Sequence, residues 1–96
     1  MKFKIPSRVN VYGKKFKVKI VNTYEFMGMM DFDSSTIYLS AIQSKKQMVF
    51  TFWHEFFHAL HYRLGMHQAL NREVLEILAE SQAQAVVEFL ESMEMI

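Results

Sequence analysis

The chain has 96 residues, no cysteine, and 11 basic against 10 acidic side chains, for a net charge of +1. That length suits one small domain, whose unfavourable surface-to-volume ratio a bound metal would help to offset. Without cysteine neither disulfides nor thiolate metal sites can form, so any ion must be held by histidine, carboxylate or main-chain oxygen, and a cytoplasmic setting is expected.

The opening "MKFKIPSRVN" carries charge but no apolar stretch of the kind a signal peptide needs, and no window approaches the roughly eighteen apolar residues of a membrane span. The expectation is a soluble, unprocessed chain. Seven basic residues, Lys2, Lys4, Arg8, Lys14, Lys15, Lys17 and Lys19, precede the first acid, Glu25, whereas most acids fall between Glu73 and Glu94. This predicts a basic end and an acidic end.

"RVNVYGKKFKVKIV" alternates, with Val9, Val11, Phe16, Val18 and Ile20 on one side and Lys15, Lys17 and Lys19 on the other; around Tyr12-Gly13-Lys14 it predicts a β-hairpin with one buried face. "MGMMDFDSSTIYLS" predicts a second pair of short strands, broken at Asp33-Ser34-Ser35 by side chains that favour turns. Helical signals follow. Ser44 with Gln47 three residues on forms a capping pattern and Gly65 a stop, predicting a helix over about Lys45 to Leu64; Asn71 and Glu73 open a second helix running to near Met93. Strands over residues 1–40 and helices over 44–93 give one α+β domain spanning 1–96.

At about 100° per residue, Val49, Trp53, Phe57, Leu60 and Leu64 form an apolar stripe expected to face the core, and His54, His58 and His61 form a neighbouring stripe. His54 and His58 are one turn apart, so both rings can reach one ion, while Glu55 points to the flank of that site. This is the His-Glu-x-x-His pattern: neutral imidazoles leave an ion strongly Lewis-acidic, and the nearby carboxylate accepts a proton from the water the ion activates. The competing view is an aromatic core helix whose histidines satisfy local hydrogen bonds.

A catalytic zinc needs a third protein ligand and an open position. His61 lies seven residues from His54, about 10.5 Å along the axis, too far for one straight helix to bring all three to one ion. The metzincin continuation is excluded, because it would put Gly at 61 and His at 64, where this chain has His61 and Leu64. The short connection after Gly65 predicts antiparallel helices, with the metal level opposite about Leu78 to Glu80. Glu80 is thus the expected third ligand, with Glu76, one turn away, as the alternative; whichever does not bind could orient a ligand histidine. Glu73, Glu80, Gln84 and Glu91 could equally form a solvated stripe.

With "TFWHEFFHALH" and the downstream "LAESQAQAVVEFL", preceded by "DFDSSTIYLS", the chain resembles zinc-dependent metallopeptidases of the gluzincin kind, in particular the small phage- and mobile-element-associated ImmA/IrrE-type domains. The likeness covers about Met29 to Leu90, and Phe56-Phe57 departs from the small or aliphatic pair of many members. It implies a minimal zincin-like fold binding one zinc ion, with His54, His58 and Glu80 as ligands and Glu55 as general base and then acid. It implies a mixed sheet whose edge strand, Thr36 to Ser40, holds an extended peptide above the active-site helix, and a regulatory protein as substrate. His61, Tyr62, His67 and Tyr38 are the candidates for stabilising the transition state.

Three alternatives bear on function. The domain could bind zinc without turnover, as a regulatory module, although a structural zinc has no use for Glu55. The basic hairpin could bind nucleic acid, but alternating lysines are more often the wet face of a strand. Finally, the tail "LESMEMI" could occupy the cleft and hold the protein latent.

Overall fold

The computed structural model describes residues 2–96 and holds four strands, two long helices and one 3-10 turn: β1 Arg8–Val11, β2 Lys14–Val21, β3 Gly28–Asp31, β4 Thr36–Ser40, α1 Lys45–Arg63, the 3-10 turn Met66–Gln68, and α2 Arg72–Ser92. It is a small α+β fold with strands first and helices after. None of its helices is long and apolar enough to cross a membrane.

The expected local signals form the elements. Tyr12 and Gly13 both take positive φ, 47° and 85°, as a two-residue hairpin loop requires, and β1 pairs antiparallel with β2 from Arg8↔Lys17 to Val11↔Lys14. Asp31 Oδ1 accepts hydrogen bonds from the Asp33 and Ser34 amides and turns the chain between β3 and β4. Ser44 Oγ accepts from the Gln47 amide at the start of α1, and Asn71 Oδ1 from the Val74 amide at the start of α2. Gly65, at φ 74°, lets the chain leave α1 in the left-handed conformation.

The strand order is β1-β2-β4-β3, so β4 is inserted between β2, to which it is parallel, and β3, to which it is antiparallel. The expected placement of Thr36–Ser40 at the edge is therefore corrected: the edge strand near α1 is β3. The reason lies in side chains. Thr36, Ile37, Leu39 and Ser40 are all at most 2% exposed, as suits a strand flanked by neighbours on both edges with α1 over one face, whereas β3 carries a glycine and partly exposed residues.

Both helices lie on one face of the sheet. Ile37 and Leu39 meet Val18 and Phe52 in the main core; Val11, Phe16 and Ala59 form a second cluster, and Val49 joins Val87 and Leu90 between the helices. The expected stripe of α1 is displaced. Phe52, Glu55 and Ala59 are buried where Phe57 and Leu60 are only half-buried, and Leu64 is 45% exposed. α1 is covered on two sides, by the sheet and by α2, so its buried arc is wider than one stripe and is rotated from it.

The ends of the chain close the far end of the helix pair. The Phe3 amide donates to the Met95 carbonyl at 2.9 Å, the Phe3 ring packs on Trp53, and Met95 and Ile96 pack against the Val49–Val87–Leu90 cluster. The tail thus packs against the edge of the helix–helix core, and no tail residue lines the histidine cleft that the latent alternative would have it fill.

Candidate metal centre

α1 sets the site's floor. His54 and His58, one turn apart, have ring centroids 4.8 Å from each other, with side chains 15% and 21% exposed. α2 brings Glu76 across to both: Oε1 is 2.8 Å from His54 Nε2, and Oε2 is 2.9 Å from His58 Nε2. In this state each imidazole donates its Nε2 proton to one carboxylate oxygen.

One ligand atom from each of His54, His58 and Glu76 lies within 4.8 Å of the others. Bonds of about 2.0–2.1 Å in a tetrahedral site hold ligand atoms about 3.3 Å apart, so the two nitrogens and the carboxylate, now within 4.8 Å of one another, would draw in by at most about 1.5 Å, through side-chain rotation, to hold a zinc-sized ion. Two neutral imidazoles and one carboxylate would leave a divalent ion with net positive charge. Burial pushes the His58 pKa below its usual value despite the opposing Glu76 charge, which favours the neutral ring; ligation through Nε2 then needs only that its proton move to Nδ1.

Of the two carboxylates considered, the alternative, Glu76, is the one that converges with His54 and His58; Glu80, the expected third ligand, is not in that group. Taking Ala79 on the buried face of α2 as origin, Glu76 lies about 60° round the helix and Glu80 about 100°. Glu76 therefore flanks the α1 contact, whereas Glu80 is turned to solvent, among the exposed residues of the stripe that includes Glu73 and Gln84. Counting residues along antiparallel helices gave the level; side-chain azimuth and helix crossing decided which carboxylate arrives.

Glu55 is only 8% exposed, and burial, followed by the negative charge of Glu76, raises its pKa from 4.5 to about 7. Its seating depends on a residue that sequence reading passed over. At Gly28, a Cβ would stand 2.5 Å from Thr51 Cγ2 and 3.1 Å from Glu55 Cγ, so β3 comes this close to α1 only because position 28 has no side chain. The signal was present: a glycine inside a strand marks a close backbone approach.

A cleft of about 460 Å³ opens over these groups, lined by His54, Glu55, His58 and Glu76, by Gly28 to Met30 of β3, and by Phe32, His61, Tyr62, His67, Arg72 and Leu75. The Ser40 amide donates to the Met27 carbonyl, which makes Met27↔Ser40 a hydrogen-bonded pair of the β3–β4 ladder. By alternation the amides and carbonyls of Gly28 and Met30 then point away from β4, to the free edge.

Of the four transition-state candidates, His61, Tyr62 and His67 line this cleft. Tyr38 does not: it alternates with the core residues Ile37 and Leu39 and so sits on the other face of the sheet. His61 is 2% exposed; its Nε2–H donates to Gln82 Oε1 at 2.7 Å, tying α1 to α2, and its buried Nδ1 has no partner. It is not among the ligand atoms that converge.

No family model matches the chain, and no match is found among curated proteins or solved structures.

Proposed function

We propose that the domain is a zinc-dependent metallopeptidase of minimal zincin-like form, with His54, His58 and Glu76 holding one zinc ion and Glu55 as general base. The observation that carries this reading is the convergence of the three ligand atoms within 4.8 Å on the floor of a cleft that also contains a nearly buried glutamate. A structural site would not need that carboxylate, and its position immediately after a ligand histidine suits proton transfer. The resemblance to ImmA/IrrE-type domains supports a regulatory protein as substrate and a cytoplasmic setting, that of the host cell if the gene is carried by a phage.

Zinc, when bound, supplies the Lewis acidity that activates water at neutral pH and polarises a peptide carbonyl. The chain's own residues do the rest. The free amides and carbonyls of Gly28 and Met30 can pair with an extended peptide as an added strand and hold its backbone over the histidines. Glu55, with a pKa near 7, can take a proton from the attacking water and return it to the departing amine. The Glu55 carboxyl lies beside Gly28, where the peptide's reacting bond would rest.

The test is metal content by mass spectrometry for wild type, His58→Ala, Glu76→Gln and Glu80→Gln, with cleavage of a mixed peptide library by wild type and Glu55→Gln. Zinc bound by wild type and Glu80→Gln but not by His58→Ala or Glu76→Gln, with cleavage lost in Glu55→Gln, is the expected outcome. A wild type without metal would overturn the reading. Zinc without cleavage would make the domain a binding module.

A further inference from the structure

Three rings stack at one end of the cleft. Phe32 and Tyr62 have centroids 4.2 Å apart and an interplanar angle of 18°; Tyr62 and His67 are 4.6 Å apart at 19°. Phe32 comes from the turn after β3, Tyr62 from the last turn of α1, and His67 from the 3-10 turn that follows it, so two parts of the chain thirty residues apart build one wall. Bracing these segments is one consequence of the stack. It does not account for the apolar surface left open in the cleft, where Phe32 stays 38% and Tyr62 42% exposed.

That surface is continuous with the metal centre, because the same cleft holds both. Tyr62 follows Glu55 by seven residues, which places it on the same side of α1, about 10.5 Å along the axis. β3 runs the same way, from Gly28 beside Glu55 towards Phe32. A peptide extended on the edge of β3 advances about 3.3 Å per residue, so with its reacting bond beside Glu55 it reaches the stack after about three residues. The rings hold one another in place before any ligand arrives, which lowers the entropy lost on binding, and the flexible Met30 side chain adapts to the shape of what binds.

We propose that the stack of Phe32, Tyr62 and His67, together with Met30 and Leu75, is a specificity subsite for a large apolar, preferably aromatic, side chain about three residues from the bond to be cut. The proposal rests on the peptidase reading and names the class of substrate for that site.

The experiment uses the zinc-loaded protein and peptide hydroxamates, whose chelating group seats on the metal without being cleaved. Two series extend to the amino or the carboxyl flank, each with Phe or Gly at the third position. In one series the Phe compound is expected to bind at least about tenfold more tightly than the Gly compound, about 1.4 kcal/mol. Tyr62→Ala and Phe32→Ala, each checked for folding by thermal melting, should bring that ratio to near unity, while Tyr62→Phe keeps it. Equal affinity for Phe and Gly in both series, or a ratio unmoved by both alanine variants, would overturn the subsite and leave the metallopeptidase reading standing. Zinc-loaded protein that binds no hydroxamate would overturn both.

Discussion

At position 55 a carboxyl group must be nearly buried and still ionise. Its pKa of about 7 is the sum of lost hydration and the repulsion of Glu76, with no hydrogen bond to offset them. In the metal-free protein this has a sign. The folded state holds the Glu55 proton more tightly than the unfolded chain, so ionising it destabilises the fold; the loss begins above about pH 4.5 and is complete above about pH 7. Glu55→Gln removes that loss. The metal-free variant should therefore be more stable than wild type at pH 8, by up to roughly 3 kcal/mol, with the advantage vanishing as pH falls to 4.5. Urea melts at the two pH values check this, and an advantage independent of pH would refute the assignment. For the proposed ligands, Glu76→Gln should weaken zinc binding by more than the roughly 10–100-fold typical of changes outside the coordination sphere, and Glu80→Gln by less. Competition titration with a chelating dye separates the two.

At the scale of elements, the site depends on how closely β3 approaches α1. Gly28→Ala would press a methyl group against Thr51 and Glu55, and neither has room to retreat. It should cost about 1–3 kcal/mol of stability, and any activity should fall further than the loss of folded protein explains, because Glu55 and the strand edge move together. Thermal melts alongside activity per folded molecule test this. The hairpin offers the opposite case. Tyr12 is 67% exposed and sits at φ 47°, strained for a residue with a bulky side chain. Tyr12→Asn creates the Asn-Gly pair such a loop favours and should raise stability by about 0.5–1 kcal/mol, seen as a higher urea midpoint with an unchanged slope.

For the whole molecule, a metal joining α1 to α2 would staple a small core. With free zinc at about 100 times the dissociation constant, the folded state gains about 2.7 kcal/mol, which for a domain of this size raises the melting temperature by on the order of 10 °C. The rise should shrink as pH drops through the histidine range near 6.5, because protonated imidazole does not ligate. A melting temperature indifferent to zinc at pH 7.5 would contradict the proposed centre.

The sequence by itself determined what depends on neighbours along the chain. The hairpin at Tyr12-Gly13, the caps at Ser44 and Asn71, the exit at Gly65 and the pairing of His54 with His58 are all set within a few residues, by backbone sterics and helical period. What only the tertiary structure decided is set by packing between segments. β4 goes inside the sheet, where Ile37 and Leu39 are sealed under α1 and strands flank it on both edges, and β3 becomes the edge. Glu76 rather than Glu80 meets the histidines because helix crossing and side-chain azimuth, not residue count, bring a carboxylate across. Gly28 carries a tight contact that no local pattern placed beside Glu55. Phe32, Tyr62 and His67 are thirty residues and more apart from first to last, and only the closing of α1 onto the sheet makes them one wall of the same cleft.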